Sequence, residues 1–202
     1  MYTEPVQTVP APATFTQGQV SDLFHTAVGD CSARTVETEA EMKAFLQMHH
    51  DRYWALPMAQ KHFYKRVSYV KLKKDMLAGH KIMALFGPKP EMPLLAGARM
   101  TFPELLGLKG GQRQGLPDHP FDADGFSADE WLHIQTLTAN LKTNGSGGVY
   151  TGAVFSAMEE FAKAQGRTLL SGKMAWGNAD DKQNNHASYN AFKRNGFGQF
   201  GP

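Results

Sequence analysis

The sequence predicts an α+β domain built on a mixed, mostly antiparallel sheet flanked by helices. Three observations carry this reading. Two apolar runs, 81–87 and 94–101, are separated by the rigid connector Pro88-Lys89-Pro90-Glu91-Met92-Pro93, which suits a hairpin. Ahead of them, Thr38 with Glu41 three residues later forms a capping box that opens a helix. In the last third, a strand, a glycine-rich turn, a helix, a second strand and a second helix follow in tight order.

Residues 1–19 carry Pro5, Pro10 and Pro12 among Thr, Gln and Ala and lack aliphatic periodicity, so they read as a flexible arm. The rest, 20–202, reads as one domain. Arg34-Thr35-Val36 is a short strand. The helix after Thr38, over about 39–50, places Met42, Phe45, Leu46 and His49 on one face. Residues 52–78 mix aromatics with Lys61, Lys65, Arg66, Lys71, Lys73 and Lys74, the pattern of one or two amphipathic helices with a basic outer face. After the hairpin, 102–130 is a Gly/Pro/Asp-rich excursion longer than ordinary connections, a lid or an interaction loop. A strand follows over 132–139. The helix of 151–165 buries Val154, Phe155, Met158, Phe161 and Ala162 and ends at Gly166. The next strand covers 168–176. The last helix begins at Asn184 or Asn185, carries Lys193 and Arg194 in its final turn and stops at Gly196; 197–200 returns as a short strand.

Length and composition narrow the function classes. The chain has 202 residues, 42% apolar and 20% charged, enough for a real core. A net charge of +2 gives little electrostatic reason to expect nucleic acid or a membrane surface as the main ligand. Cys31 is the only cysteine and reads as a small apolar filler. With no basic n-region ahead of an apolar run and no long apolar segment, the expectation is a reducing, cytoplasmic setting without a membrane span.

No metal site is expected. Asp122-Ala123-Asp124-Gly125 lacks the remaining ligands of a calcium loop, whose twelfth position would fall on His133. The eight histidines show no ligand spacing on a common helix face. Gly110-Gly111-Gln112-Arg113-Gln114-Gly115 is followed by Leu116-Pro117, which cannot open a helix, so it reads as a loop over a site. The turn before the helix differs. Gly145-Ser146-Gly147-Gly148 follows a strand and feeds a helix N-terminus, where open N–H groups and the helix dipole favour a phosphate-bearing ligand. On the residues alone a simple connector remains the alternative.

These last-third residues resemble the GNAT superfamily of N-acyltransferases. The likeness covers roughly 33–202 by element order and 132–200 by residues. It implies a splayed central strand pair opening a slot for the pantetheine arm of acetyl-CoA or another acyl-CoA, with the pyrophosphate on the following turn and helix. Residues 132–139 resemble the splayed strand, and 185–197 resembles the closing pattern of an Asn and a helix ending in Lys/Arg-x-Gly-Phe. The resemblance therefore assigns cofactor binding to Leu137, Thr138, Ala139, Gly147, Gly148, Val149, Tyr150, Thr151 and Gly152, with Asn185 in support. The sequence also departs from the family's Arg/Gln-x-x-Gly-x-Gly/Ala turn. Gly147 replaces the long polar side chain, and Tyr150 replaces the middle glycine, where its ring would crowd the backbone.

Acyl transfer would need a base for an ammonium nucleophile and an acid for a thiolate. Glu130 and His133 are the base candidates, although on the residues alone His133 reads first as a core or rim histidine. The position where the family often carries an acid tyrosine holds Phe192. Tyr189, one turn earlier, is the substitute, or else it only packs. The expected partner of an enzyme is an amine acceptor of unknown identity. The alternative is an eroded GNAT-fold structural or interaction protein, such as a phage virion component, meeting a protein partner through 1–19 and 102–130.

Overall fold

In the computed structural model the described residues are 31–63, 66–88, 93–106, 128–143, 147–172 and 185–198. The predicted arm and most of the 102–130 excursion lie outside them. Five strands form one sheet in sequence order: β1 (Ser32–Thr35), β2 (Lys81–Phe86), β3 (Leu94–Thr101), β4 (Trp131–Ala139) and β5 (Leu169–Gly172). The first four pair antiparallel and β5 lies parallel to β4, as the mixed pattern predicted.

Among the described residues four helices cover the sheet: α1 (Glu39–Ala55), α2 (Tyr69–Leu77), α3 (Gly147–Ala164) and α4 (His186–Arg194). The capping box at Thr38 is present: the Glu41 N–H donates to Thr38 Oγ1 at 3.2 Å, and the Thr38 N–H donates to Glu41 Oε2 at 3.0 Å. α1 runs one turn beyond the predicted end. It buries Met42, Phe45, Met48 and His49, so Met48 takes the core place expected of Leu46. Gly166 and Gly196 adopt φ of +69° and +80°, the left-handed geometry that ends α3 and α4 as predicted.

Two apolar layers sandwich the sheet. On one face Met83, Leu85, Ala96, Ala98, Met100, Leu132 and Ile134 pack with Val154, Phe155 and Met158 of α3 and Phe192 of α4. On the other, Ile82, Ala84 and Leu94 pack with Met42, Phe45 and Met48 of α1 and Leu72 of α2. Cys31 is buried in the first layer.

Three boundaries differ from expectation. The first strand lies at 32–35, so Val36 is not in it; its N–H donates to the Ile82 carbonyl at 2.8 Å instead. α3 starts at Gly147, four residues before the predicted start at Thr151, because Gly147 and Gly148 tolerate helical geometry and propensity alone discounted them. Phe197 and Gly198 are not in a strand; the Phe197 ring instead packs tilted against Phe155 and edge-on to Phe192, with centroids 5.3 and 4.8 Å away. Residues 173–176 of the predicted strand and 199–200 lie outside the described residues.

A bulge between β3 and β4 shapes the middle of the sheet. Arg99 pairs with Thr136 and Met100 with Ile134, so Gln135 is an extra residue in β4. It re-phases the strand. Leu132 and Ile134 face α3, and past the bulge Leu137 and Ala139 face the same side, three and five residues on. Thr138 turns the other way, fully buried, with its hydroxyl 3.3 Å from His49 Nδ1 of α1. β4 registers with β5 only over Trp131–Ile134, so the described pairing stops where the bulge begins.

Candidate functional site

Beyond the bulge, the end of β4 meets the start of α3 and the end of α4 around a cleft of about 520 Å³. Leu137 and Ala139 line it from the strand, Gly148, Thr151 and Gly152 from α3, and Asn190, Ala191, Arg194 and Asn195 from α4. Arg52, near the end of α1, completes the wall. Asn140 fixes the rim: its N–H and side-chain amide donate to the carbonyls of Leu95 and Leu94, each at 2.9 Å, tying the end of β4 to β3.

Because α3 opens at Gly147, the amides of 147–149 are the helical ones without intrahelical acceptors, and those of Thr151 and Gly152 belong to the helix interior. This corrects the expectation that open donors extend through Gly152. Both of those residues still wall the cleft, with the Thr151 hydroxyl donating to the Gly148 carbonyl at 3.1 Å. The absence of a Cβ matters at Gly148. A methyl there would stand 3.2 Å from Nη1 of Arg194, tighter than ordinary contact.

Among the ten residues assigned to cofactor binding, the cleft gathers Leu137, Ala139, Gly148, Thr151 and Gly152. Gly147 is the first residue of α3. Val149 is exposed and does not line the cleft. Tyr150 packs against the α3-side core, so its ring does not crowd the cleft as the sequence suggested; in a helical turn its side chain projects away from Gly148 and Gly152. Thr138 points to the opposite face of the sheet. Asn185 caps α4, accepting from the Ser188 N–H at 3.1 Å, and is not a lining residue.

The three residues nominated for proton transfer lie elsewhere. Glu130 ends a short 3₁₀ turn before β4, and its carbonyl accepts from the Thr168 N–H at 3.0 Å. His133 is buried on the face opposite Leu132, with Nδ1 2.9 Å from Ser171 Oγ, which also accepts from Trp131 Nε1 at 2.6 Å. Tyr189 sits on α4 about half a turn from the cleft-lining Ala187 and Ala191, with the Lys193 ammonium 5.8 Å from its ring centroid. Phe192 is buried against Gly172 and the rings of Phe155 and Phe197.

Sequence reasoning missed the cleft's two arginines. The last-turn position of Arg194 was legible, but as a complement to the dipole of its own helix. No local pattern could carry Arg52 to the cleft, since that placement exists only once α1 packs beside the end of β4.

Comparison with solved structures recovers the same architecture. A Trypanosoma brucei acetyltransferase superposes with a TM-score of 0.52 over 86% of this chain and 96% of its own, at 15% identity. A putative acetyltransferase from Salmonella typhimurium, solved with its cofactor acetyl-CoA, gives 0.51 over 85% of this chain and 81% of its own, at 11% identity. A transcriptional regulator from Bacillus halodurans gives 0.52 over 85% and 95%, at 12% identity. No protein-family model matches the chain, and no curated protein matches it in sequence. The chain has the GNAT acetyltransferase fold. At such identities the likeness speaks for the fold alone.

Proposed function

We propose that the protein is an N-acyltransferase moving an acetyl or other acyl group from acyl-CoA to an amine. One observation carries this reading: a cleft joins the end of the bulged strand to the first turn of α3, and no carboxylate lines it among the described residues. The glycines fit the ligand, since Gly148 and Gly152 leave open the space over the helix start that a Cβ would enter. Leu137 and Ala139 offer an apolar and main-chain wall for the pantetheine arm, and the first turn of α3 receives the pyrophosphate. Bound acyl-CoA supplies an activated thioester carbonyl.

The chain's own residues must then move protons. In this proposal Glu130 or His133 takes the proton from the ammonium acceptor, directly or through a water, and a main-chain N–H of β4 stabilises the oxyanion. The Ser171 hydroxyl, which itself accepts from the Trp131 indole N–H, holds the His133 ring. In the same proposal Tyr189 returns a proton to the thiolate through a water, since its ring stands half a turn from the cleft-lining face of α4.

A second reading, a structural or interaction protein such as a phage virion component, has one observation in its favour. Phe192 occupies the position the resemblance gives to an acid and has no proton to offer. In that reading a protein partner meets residues 1–19 and 102–130. Titration calorimetry with acetyl-CoA separates the two. The enzyme reading expects saturable heat, a raised unfolding temperature and thiol release with a panel of amines. No heat and no thermal shift at millimolar acetyl-CoA would overturn it in favour of the second.

A further inference from the structure

The family's phosphate turn carries a long polar side chain at a position that Gly147 occupies here, so a cofactor-binding cleft would lack its side-chain donor. The cleft instead holds two guanidinium groups from elsewhere. Arg194 reaches back from the last turn of α4 until its Nη1 lies 3.2 Å from where a Gly148 Cβ would be. Arg52 stands on the same cleft from α1. Neither has an ion-pair, hydrogen-bond or ring partner among the described residues.

That arrangement is electrostatically unsatisfied. Of the other described arginines, Arg34 pairs with Glu41, Arg99 with Asp75 and Arg167 with Glu104, and Arg66 lies over the rings of Tyr53 and Trp54. Here two cations share a cleft with no carboxylate. One of them sits over the first turn of α3, where the helix dipole already presents positive charge. Arg194 is exposed, so solvent screens much of this repulsion, and an anion between it and the cleft wall would be attracted by both charges. The planar fork suits the paired oxygens of a phosphate better than a lysine would.

We infer that Arg194, with Arg52 across the cleft, is the phosphate-binding pair of this site, supplying from α4 and α1 the charge that the turn itself has lost. The ligand class is a diphosphate or a similarly dense polyanion. This deepens the acyl-CoA reading and rests on it for the rest of the ligand.

The test uses the full chain and three probes: acetyl-CoA, inorganic pyrophosphate, and S-acetylpantetheine, which keeps the arm and lacks the phosphates. Arg194→Gln and Arg52→Gln keep most of each apolar stem, and circular dichroism confirms that both variants fold. Arg194→Gln is expected to weaken acetyl-CoA and pyrophosphate alike by about 10- to 100-fold, the range for a lost charge-assisted hydrogen bond. Arg52→Gln is expected to weaken both by less, and S-acetylpantetheine should bind each variant as it binds the parent. Acetyl-CoA binding should also fall as salt rises, and less steeply in Arg194→Gln.

Unchanged affinity of both variants for acetyl-CoA and pyrophosphate would overturn the pair while leaving the acyl-CoA reading standing. Arginine-dependent pyrophosphate binding without acetyl-CoA binding would sustain the pair and remove that reading. No binding of either phosphate ligand to the parent protein would end both.

Discussion

Gly172 is the residue on which the packing of β5 against α4 turns. A Cβ there would enter the Phe192 ring, whose other neighbours, Phe155 and Phe197, leave it no empty side to move into. Gly172→Ala should therefore destabilise the fold by about 1–3 kcal/mol, the usual cost of overpacking a filled core. The difference is read from urea unfolding midpoints. An unchanged midpoint would mean that the ring can shift and that the aromatic cluster is not a fixed part of the core.

At the scale of the element, the start of α1 is the best-defined local structure. Glu41 closes the capping box and also pairs with Arg34, 2.5 Å away on β1. The Arg34 guanidinium, followed by the Glu37 and Thr38 backbone N–H groups, holds the Glu41 carboxyl down to about 2 from an ordinary 4.5. A depressed folded value means that the unfolded chain binds the proton first. Its stabilising contribution is thus complete above about pH 4.5 and is lost as pH falls toward about 2. Glu41→Gln should flatten the acid limb of the stability curve in that window, and Thr38→Ala should cost about 1 kcal/mol at neutral pH. Chemical unfolding at several pH values measures both. An acid limb of the same slope in Glu41→Gln would assign it to other carboxylates.

For the whole molecule, one buried histidine reports on how the α2 end of the domain closes on the sheet. His80 follows α2, and its Nδ1 accepts the N–H of Phe102, just past β3, at 3.1 Å. Burial pushes its pKa below 6.5; Asp75 and Glu104 oppose this, while Arg99 and Lys71 reinforce it. The folded state thus holds His80 neutral, and the unfolded chain takes up a proton below about pH 6.5. Global stability should fall as pH drops from about 6.5, and His80→Gln, which keeps a side-chain acceptor, should remove part of that slope. Equilibrium unfolding at pH 7.5 and 5.5 checks it, and equal slopes in parent and variant would refute it.

The sequence by itself determined the order of elements, the capped start of α1, the hairpin and the glycine stops after α3 and α4, because each rests on neighbours within a few residues. Five of the residues that the family resemblance assigns to cofactor binding line the cleft. Only the tertiary structure decided that Leu137 and Ala139, rather than Thr138, face α3 and that Tyr150 leaves the cleft clear. The first follows from the bulge at Gln135, which exists only in pairing with β3, and the second from where α3 begins. Tertiary structure alone also brought Arg52 and Arg194 to the same cleft. They lie 142 positions apart in a chain of 202 residues. Side-chain charge is written locally, but the place where two charges meet is set by how helices pack on a sheet.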